Sequence, residues 1–421
     1  MFKKFIEKKL DAKELTSADY YEAVDKLMRC GVCKDATKFF LALNSLGMSK
    51  REVLYLAEAI RDSGRVLHHD DCVLEKHSTG GVGDPTSIVL VPLLASLGYK
   101  VIKTTAKSLV FTNGSADRFG AIPGFKVNLE AEEINKTLQA NNACVLSSDG
   151  LVCPADKFLH ALREKCGIET NLNLMAASIA GKKLASGAKV VLVDVKYGMA
   201  SLVKTFKDAK YLARLLKYVF KKNGVECIVV ITNTQQTIGE AIGNAVEVVD
   251  ALQVLQGRKG MLRDISVEYA TQMILKADKV LNRRDVEEMV KMTLDSGAAY
   301  VKFMDIINAQ GGDDEIVEQA KMFVPYHSVN FVADKSGYVG SIDSLMLGEL
   351  IRRLCAKTHD SNIGIIQRTK IGDYVNKGDV IVSFYYKNEA DLKKYQNAIS
   401  GCIRVTEHKM PRVKVIRKVI D

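Results

Sequence analysis

The sequence predicts an α/β protein with a helical unit near its start and a β-rich unit near its end. Three observations predict it. The first 65 residues carry helix caps and apolar faces with no strand signal. From about residue 72, short β-branched runs alternate with helix-length segments, the texture of a mainly parallel sheet covered on both faces. After about residue 330, Gly-Asp turns recur between alternating residues, the texture of a small β-rich domain.

Taken in order, Thr16 or Ser17 caps a helix over Ala18 to Met28, Ala36 to Leu46 repeats an apolar face, and Ser49 caps Lys50 to Asp62 before Gly64. Five strands follow: Val73 to Leu74, Val101 to Thr104, Cys144 to Ser147, Val190 to Val195 and Cys227 to Thr232. A helical insert, Ala155 to Leu184, separates the third from the fourth; it is expected to pack on the first helices and close a cleft over the sheet's loops. The segments Gly337-Tyr338-Val339-Gly340, Lys370 to Val375 and Lys377 to Val382 suggest hairpins. The expected domains are 1–65 with 155–185 (helical), 70–154 with 186–330 (α/β, phosphate-binding) and 331–421 (β-rich).

At 421 residues, 47% apolar and 26% charged, the composition is that of a globular protein of two or three domains. The net charge of +10 is spread along the chain except for a basic stretch from Arg404 to Lys418. With no aromatic-studded basic motif and no zinc spacing, the surplus points to anionic small molecules rather than nucleic acid. Nine scattered cysteines imply reduced thiols; Cys30 and Cys33 have CxxC spacing, but no second pair completes a zinc site. The basic start lacks a signal peptide's apolar core, and the longest apolar run, Ile88 to Leu97, contains Pro92 and is too short to span a membrane. A cytoplasmic protein without membrane contact is expected.

The richest chemistry lies in Lys76-His77-Ser78-Thr79-Gly80-Gly81-Val82-Gly83-Asp84, continued by Pro85-Thr86-Ser87, between a strand and an apolar helix. Glycines let a backbone approach an anion, and amides opening the next helix point at it. A tight turn that binds nothing explains the glycines alone but not Lys76, His77, Ser78, Thr86 and Ser87. The spacing is neither the Walker pattern nor the dinucleotide fingerprint. On the insert, His160 with Arg163 and Ser178 with Lys182 each share a helix face and can offer hydrogen bonds and charge to a planar polar ligand. For any single pair a solvated surface face is the commoner explanation, but apolar neighbours flank Ser178. Hydroxyls in Thr104-Thr105-Ala106-Lys107-Ser108 and Thr112-Asn113-Gly114-Ser115 follow a strand end, where open parallel sheets bind ligands.

Together with Ile122-Pro123-Gly124-Phe125, Pro154-Ala155-Asp156-Lys157, Ala177-Ser178-Ile179, Lys182-Lys183-Leu184-Ala185, Asp194-Val195-Lys196 and Gly243 to Val248, these segments resemble the thymidine phosphorylase and pyrimidine nucleoside phosphorylase family, in that family's order over nearly the whole chain. The resemblance implies a homodimer with helical, α/β and C-terminal β-rich domains. It also implies phosphorolysis of a nucleoside to free base and ribose or deoxyribose 1-phosphate, with inorganic phosphate as co-substrate and no cofactor or metal. By position, Lys76, Ser78, Ser87, Thr105 and Ser115 match phosphate-binding places, Arg163, Ser178 and Lys182 match base-binding places, and His77 matches the histidine that assists the leaving base.

Departures cluster in two places. The family's glycine-rich Ser-Gly-Arg-Gly-Leu-Gly-His becomes Thr105-Ala106-Lys107-Ser108-Leu109-Val110-Phe111, and Glu75 stands for an aspartate. In the base pocket, His160 replaces a tyrosine, Leu202 a phenylalanine and Glu169 an apolar residue. These changes leave two alternatives open: a relative retuned to another nucleobase, since Glu169 can accept hydrogen bonds from amino or imino groups, or a nucleoside-binding protein that has lost turnover.

Overall fold

A computed structural model describes residues 1–105, 114–148, 150–318, 321, 323–358 and 360–421. Of the positions singled out in the sequence, Ala106, Lys107, Ser108, Leu109, Val110, Phe111, Thr112 and Asn113 lie outside the described residues.

Four helices open the chain: α1 (Lys3–Leu10), α2 (Ser17–Cys30), α3 (Lys34–Leu46) and α4 (Lys50–Arg61). Thr16 and Ser49 cap α2 and α4 in reciprocal capping boxes with Asp19 and Glu52. Glu52 is also a buried hub: its carboxylate accepts from Lys9 Nζ at 3.0 Å and from the Leu15 amide at 3.0 Å, tying α1 and the α1–α2 loop to α4. Phe2 stacks on Phe39 at 5.3 Å, which anchors α1 on α3.

The central sheet alternates with helices: β1 (Val73–Ser78), α5 (Thr86–Ser96), β2 (Lys100–Thr105), α6 (Ser115–Phe119), α7 (Ala131–Asn141), β3 (Ala143–Ser147), α8 (Pro154–Cys166), α9 (Leu172–Ala185), β4 (Val190–Tyr197), α10 (Phe206–Lys222) and β5 (Glu226–Asn233). A two-residue strand, β6 (Ala241–Ile242), precedes α11 (Asn244–Leu255), α12 (Met261–Ala277), α13 (Arg283–Asp295), α14 (Ala298–Ala309) and α15 (Asp314–Glu318). The end holds β7 (His327–Val332), β8 (Gly337–Ile342), α16 (Ser344–Thr358), β9 (Gly364–Gln367), β10 (Tyr374–Val375), β11 (Val380–Tyr386), α17 (Glu389–Ser400), β12 (Ile403–Thr406) and β13 (Ile416–Ile420).

The central sheet has the order β13-β5-β4-β1-β2-β3. Its five predicted strands run parallel, and β13 pairs antiparallel with β5. Side chains alternate between faces with period two. Val73, Val191, Val193 and Val229 join the core beneath the helical unit, while Leu74, Leu192, Ile228 and Val230 join the core around α5, α11 and α12. Burial on both faces is why these strands read as unbroken apolar runs.

The insert helices pack on the opening helices, α8 on α2, α3 and α4 and α9 on α4. At the α4–α9 crossing a Cβ on Gly181 would fall 2.7 Å from Ile60 Cγ2, so the two backbones approach as closely as only glycine permits.

The C-terminal region forms two antiparallel sheets, β10-β8-β12 and β6-β9-β11-β7. The expected hairpins are not how these strands pair. The Gly372-Asp373 and Gly378-Asp379 turns precede β10 and β11, yet these consecutive strands join different sheets, with β8 and with β7 and β9 respectively. Turn chemistry marks where the chain bends; the partner is set by which edge is free after packing. Asp343 caps α16, its Oδ1 accepting the Met346 amide at 3.0 Å, whereas Asn388 before α17 makes no side-chain cap bond. Among the described residues, no helix is long and apolar enough to cross a membrane.

Candidate active site

The carboxyl ends of the parallel strands β1 and β2, with Leu202 from the loop after β4, open into a cleft roofed by α8 and α9. Open parallel sheets present ligand sites at that edge. His77, Ser78, Thr105, Ser115, His160, Arg163, Ser178, Lys182 and Leu202 all line it, so segments more than 100 residues apart converge on one space.

On the sheet side, the glycine-rich loop is held by its own groups. Ser78 Oγ donates to Asp84 Oδ2 at 3.0 Å and accepts from the Gly80 amide at 3.3 Å. Gly83 has φ +62°, and a Cβ there would fall 2.8 Å from Thr237 Cβ. The glycines therefore serve close packing against neighbouring loops as well as any ligand. Lys76 and Ser87 do not line the cleft; they lie in the layer beneath, where Lys76 Nζ donates to Thr86 Oγ1 at 2.7 Å and reaches Ser87 Oγ at 3.5 Å.

Charge is concentrated here. Lys76, Lys103, Arg118, Arg163, Lys182, Lys183 and Lys196 are buried, against the buried carboxylates of Glu75, Asp84, Asp156, Asp194 and Glu247. The pairs include Lys196 with Asp194 at 2.6 Å, Arg118 with Glu247 at 2.6 Å, Lys183 with Glu75 at 2.5 Å and Lys182 with Asp156. Burial pushes the Asp84 carboxyl up, but Lys196, Lys76 and Arg118 outweigh it and hold the group far below the usual range. Lys103 makes no ion pair among the described residues; its Nζ donates to the Thr104 carbonyl at 3.0 Å and it lines the cleft. Burial, with Lys183 nearby, pulls its pKa well below that of a free lysine. An anion arriving in the cleft relieves this excess of positive charge.

His77 stands between the two sides. Burial, then Lys183, Lys182 and Lys103, pull its pKa well below 6.5, so its imidazole is neutral at neutral pH.

On the helical side, one carboxylate organises the wall. Asp156, a turn before His160 on α8, accepts from Ser178 Oγ at 2.5 Å and from Lys182 Nζ. Lys182 Nζ also donates to Ser178 Oγ at 3.0 Å. Arg163 donates through Nη2 to the Glu169 carbonyl at 2.5 Å, while its buried Nε has no protein partner among the described residues. Burial, partly opposed by Asp156, lowers the Arg163 pKa to about 10. His160 is pulled to about 4 by burial and Lys182. Glu169 lies outside the cleft lining and contributes its backbone carbonyl rather than its carboxylate. Sequence reasoning passed over Lys103 and Arg118 and gave no role to Asp156 and Lys183 within their motifs; the available signal was a charge interrupting an apolar strand or helix, as Lys103 does after Val101 and Ile102.

Comparison with known proteins agrees with this architecture. Residues 70–300 match the family model described as "Glycosyl transferase family, a/b domain", and residues 338–406 match "Pyrimidine nucleoside phosphorylase C-terminal domain". A pyrimidine-nucleoside phosphorylase of Staphylococcus aureus is 31% identical over 417 residues, 96% of each chain. One of Staphylococcus epidermidis is 32% identical over 411 residues, 94% of this chain and 95% of that protein. In fold, anthranilate phosphoribosyltransferase of Thermus thermophilus superposes with a TM-score of 0.59 at 19% identity, covering 72% of this chain and 98% of that one. With relatives matched along nearly their whole length and both regions recognised, the chain belongs to the pyrimidine-nucleoside phosphorylase family.

Proposed function

We propose that this enzyme cleaves the bond between a pyrimidine base and ribose or deoxyribose with inorganic phosphate, releasing free base and sugar 1-phosphate. The observation that carries the proposal is the pairing, in one cleft, of a cation-rich floor with a wall of directional donors. Ser78, Thr105 and Ser115 hold phosphate, backed by Lys76 and Ser87 from the layer beneath. Arg163, Ser178 and Lys182 hold the base, with His160 and Leu202 shaping its pocket.

A departing pyrimidine needs its developing negative charge neutralised. Arg163 and Lys182 supply this as charge-assisted donors in a poorly hydrated site. His77, neutral in the free protein, becomes able to take and deliver a proton once phosphate brings negative charge beside it. Phosphate held by the loop then meets an oxocarbenium-like sugar carbon at high effective concentration. No organic cofactor enters this scheme. The reading extends to a cytoplasmic homodimer, supported by exposed Leu10, Leu41 and Leu46 on α1 and α3. The retuned-base alternative draws little support from a Glu169 carboxylate that does not line the cleft.

The test is phosphate-dependent release of free base from uridine, thymidine, deoxyuridine and cytidine. Release from at least one pyrimidine nucleoside, abolished when phosphate is omitted, is expected. Alanine at Arg163 or Lys182 should cost about 2–5 kcal/mol in kcat/KM. Tight nucleoside binding without turnover would replace this proposal with a binding protein.

A further inference from the structure

Cys30 ends α2 and Cys33 caps α3, so the Cys30-Gly31-Val32-Cys33 loop turns one helix into the next with a thiol at each side of the turn. Their sulfur atoms lie 2.6 Å apart. That is well inside ordinary sulfur–sulfur contact and only about half an ångström beyond a covalent disulfide of roughly 2.05 Å. Gly31, at φ +60°, makes the approach possible by taking a conformation other residues avoid. Both cysteines are half-buried, unlike the fully buried Cys144, Cys153, Cys227 and Cys402, so solution reagents can reach them.

We infer that Cys30 and Cys33 form a redox-active dithiol that closes reversibly to an intramolecular disulfide by exchange with a low-molecular-weight disulfide. The two sulfurs have different surroundings. Cys33 Sγ accepts the Ala36 amide at 3.4 Å at the start of α3, while Cys30 Sγ donates to the Gly31 carbonyl at 3.4 Å. Burial pushes the Cys33 thiol up, but hydrogen bonds from Cys30 and from the Ala36 and Asp35 amides outweigh it and leave Cys33 below the ordinary thiol value. Burial and the contact with Cys33 push Cys30 up to about 11. Cys33 is therefore the attacking thiolate and Cys30 the resolving thiol.

The Cys33 thiolate attacks one sulfur of the reagent disulfide, forms a mixed disulfide and expels one reagent thiolate. Cys30 then loses its proton to solvent and attacks the Cys33 sulfur, closing the Cys30–Cys33 bond and expelling the second reagent thiolate. The protein gives up two electrons and two protons, and one reagent disulfide becomes two thiols.

The full-length reduced protein would be incubated with oxidised glutathione, quenched in acid, alkylated and mapped by peptide mass. A Cys30–Cys33 disulfide that dithiothreitol reverses is expected. In Cys30→Ser a mixed glutathione disulfide should persist on Cys33, and in Cys33→Ser modification of Cys30 should be at least about tenfold slower. Both cysteines remaining free thiols, or either pairing with a different cysteine, would overturn the inference. Should a variant fail to fold, alkylation of the wild-type protein across pH decides the roles: Cys33 must react faster and titrate lower than Cys30, and the reverse order overturns the assignment.

Discussion

His77 shows how a residue's surroundings decide its chemistry. Its ring is half-buried in the cleft wall near Lys183, Lys182, Lys103 and Lys76, all of which oppose a further positive charge. The sign of the pH effect follows. The folded pKa lies below the unfolded value of roughly 6.5, so the unfolded chain takes the proton first, and the contribution of this group to stability declines as pH falls below that value. His160, with a pKa of about 4, acts in the same direction. Phosphate should reverse the trend at His77, because its negative charge offsets the neighbouring lysines. Histidine ring resonances followed by NMR, with His77→Asn for assignment, should show His77 titrating below its ordinary value in the free protein and moving upward on adding phosphate. A midpoint near 6.5 that ignores phosphate would remove His77 from the proton-transfer role.

Among the elements, the loop between β1 and α5 depends most on backbone freedom. Gly83 combines φ +62° with a position where a Cβ would lie 2.8 Å from Thr237 Cβ and 2.9 Å from the Ala241 carbonyl oxygen. Gly47 also has a positive φ, +77°, but has nothing within 4 Å of its missing Cβ. The pair separates two costs. Gly47→Ala should lose roughly 1 kcal/mol for conformation alone. Gly83→Ala should lose about 1–3 kcal/mol more, through the steric conflict, and should also weaken phosphate binding. Denaturant unfolding and phosphate titration measure both; equal losses at the two positions would mean that the loop's packing against residues 237–241 does not fix its shape.

For the whole molecule, the central sheet is finished by a strand from the far end of the chain. Residues 416–420 pair with Val229 to Thr232 of β5, and Val415 accepts the Asn233 amide at 2.8 Å. This segment overlaps the basic stretch, in which charge, Arg417 above all, obscured the apolar alternation that begins at Val413 and Val415 and resumes just beyond it at Val419. Without β13 the β5 edge is left open to pairing with other chains. Removing residues 413–421 should lower Tm and raise light scattering at elevated protein concentration. An unchanged melting curve would show that α10 and α12 protect β5 without it.

The sequence by itself determined the five parallel strands, a cap at Thr16 or Ser17 and another at Ser49, the insert helices and the loop from Lys76 to Asp84, because each rests on local rules: side-chain period, N-cap hydrogen bonding and glycine conformation. It also indicated the pairs His160 with Arg163 and Ser178 with Lys182, because residues three or four apart share a helix face. Tertiary structure decided the rest. That Asp156 grips Ser178 and Lys182, that Lys103 faces the cleft with no ion pair among the described residues, and that Glu169 turns its carbonyl to Arg163 depend on contacts between separate elements. Strand partners in the two C-terminal sheets were hidden for the same reason. Local patterns state what each segment forms, whereas a buried charge or a sheet edge acquires its partner only when distant segments exclude water together.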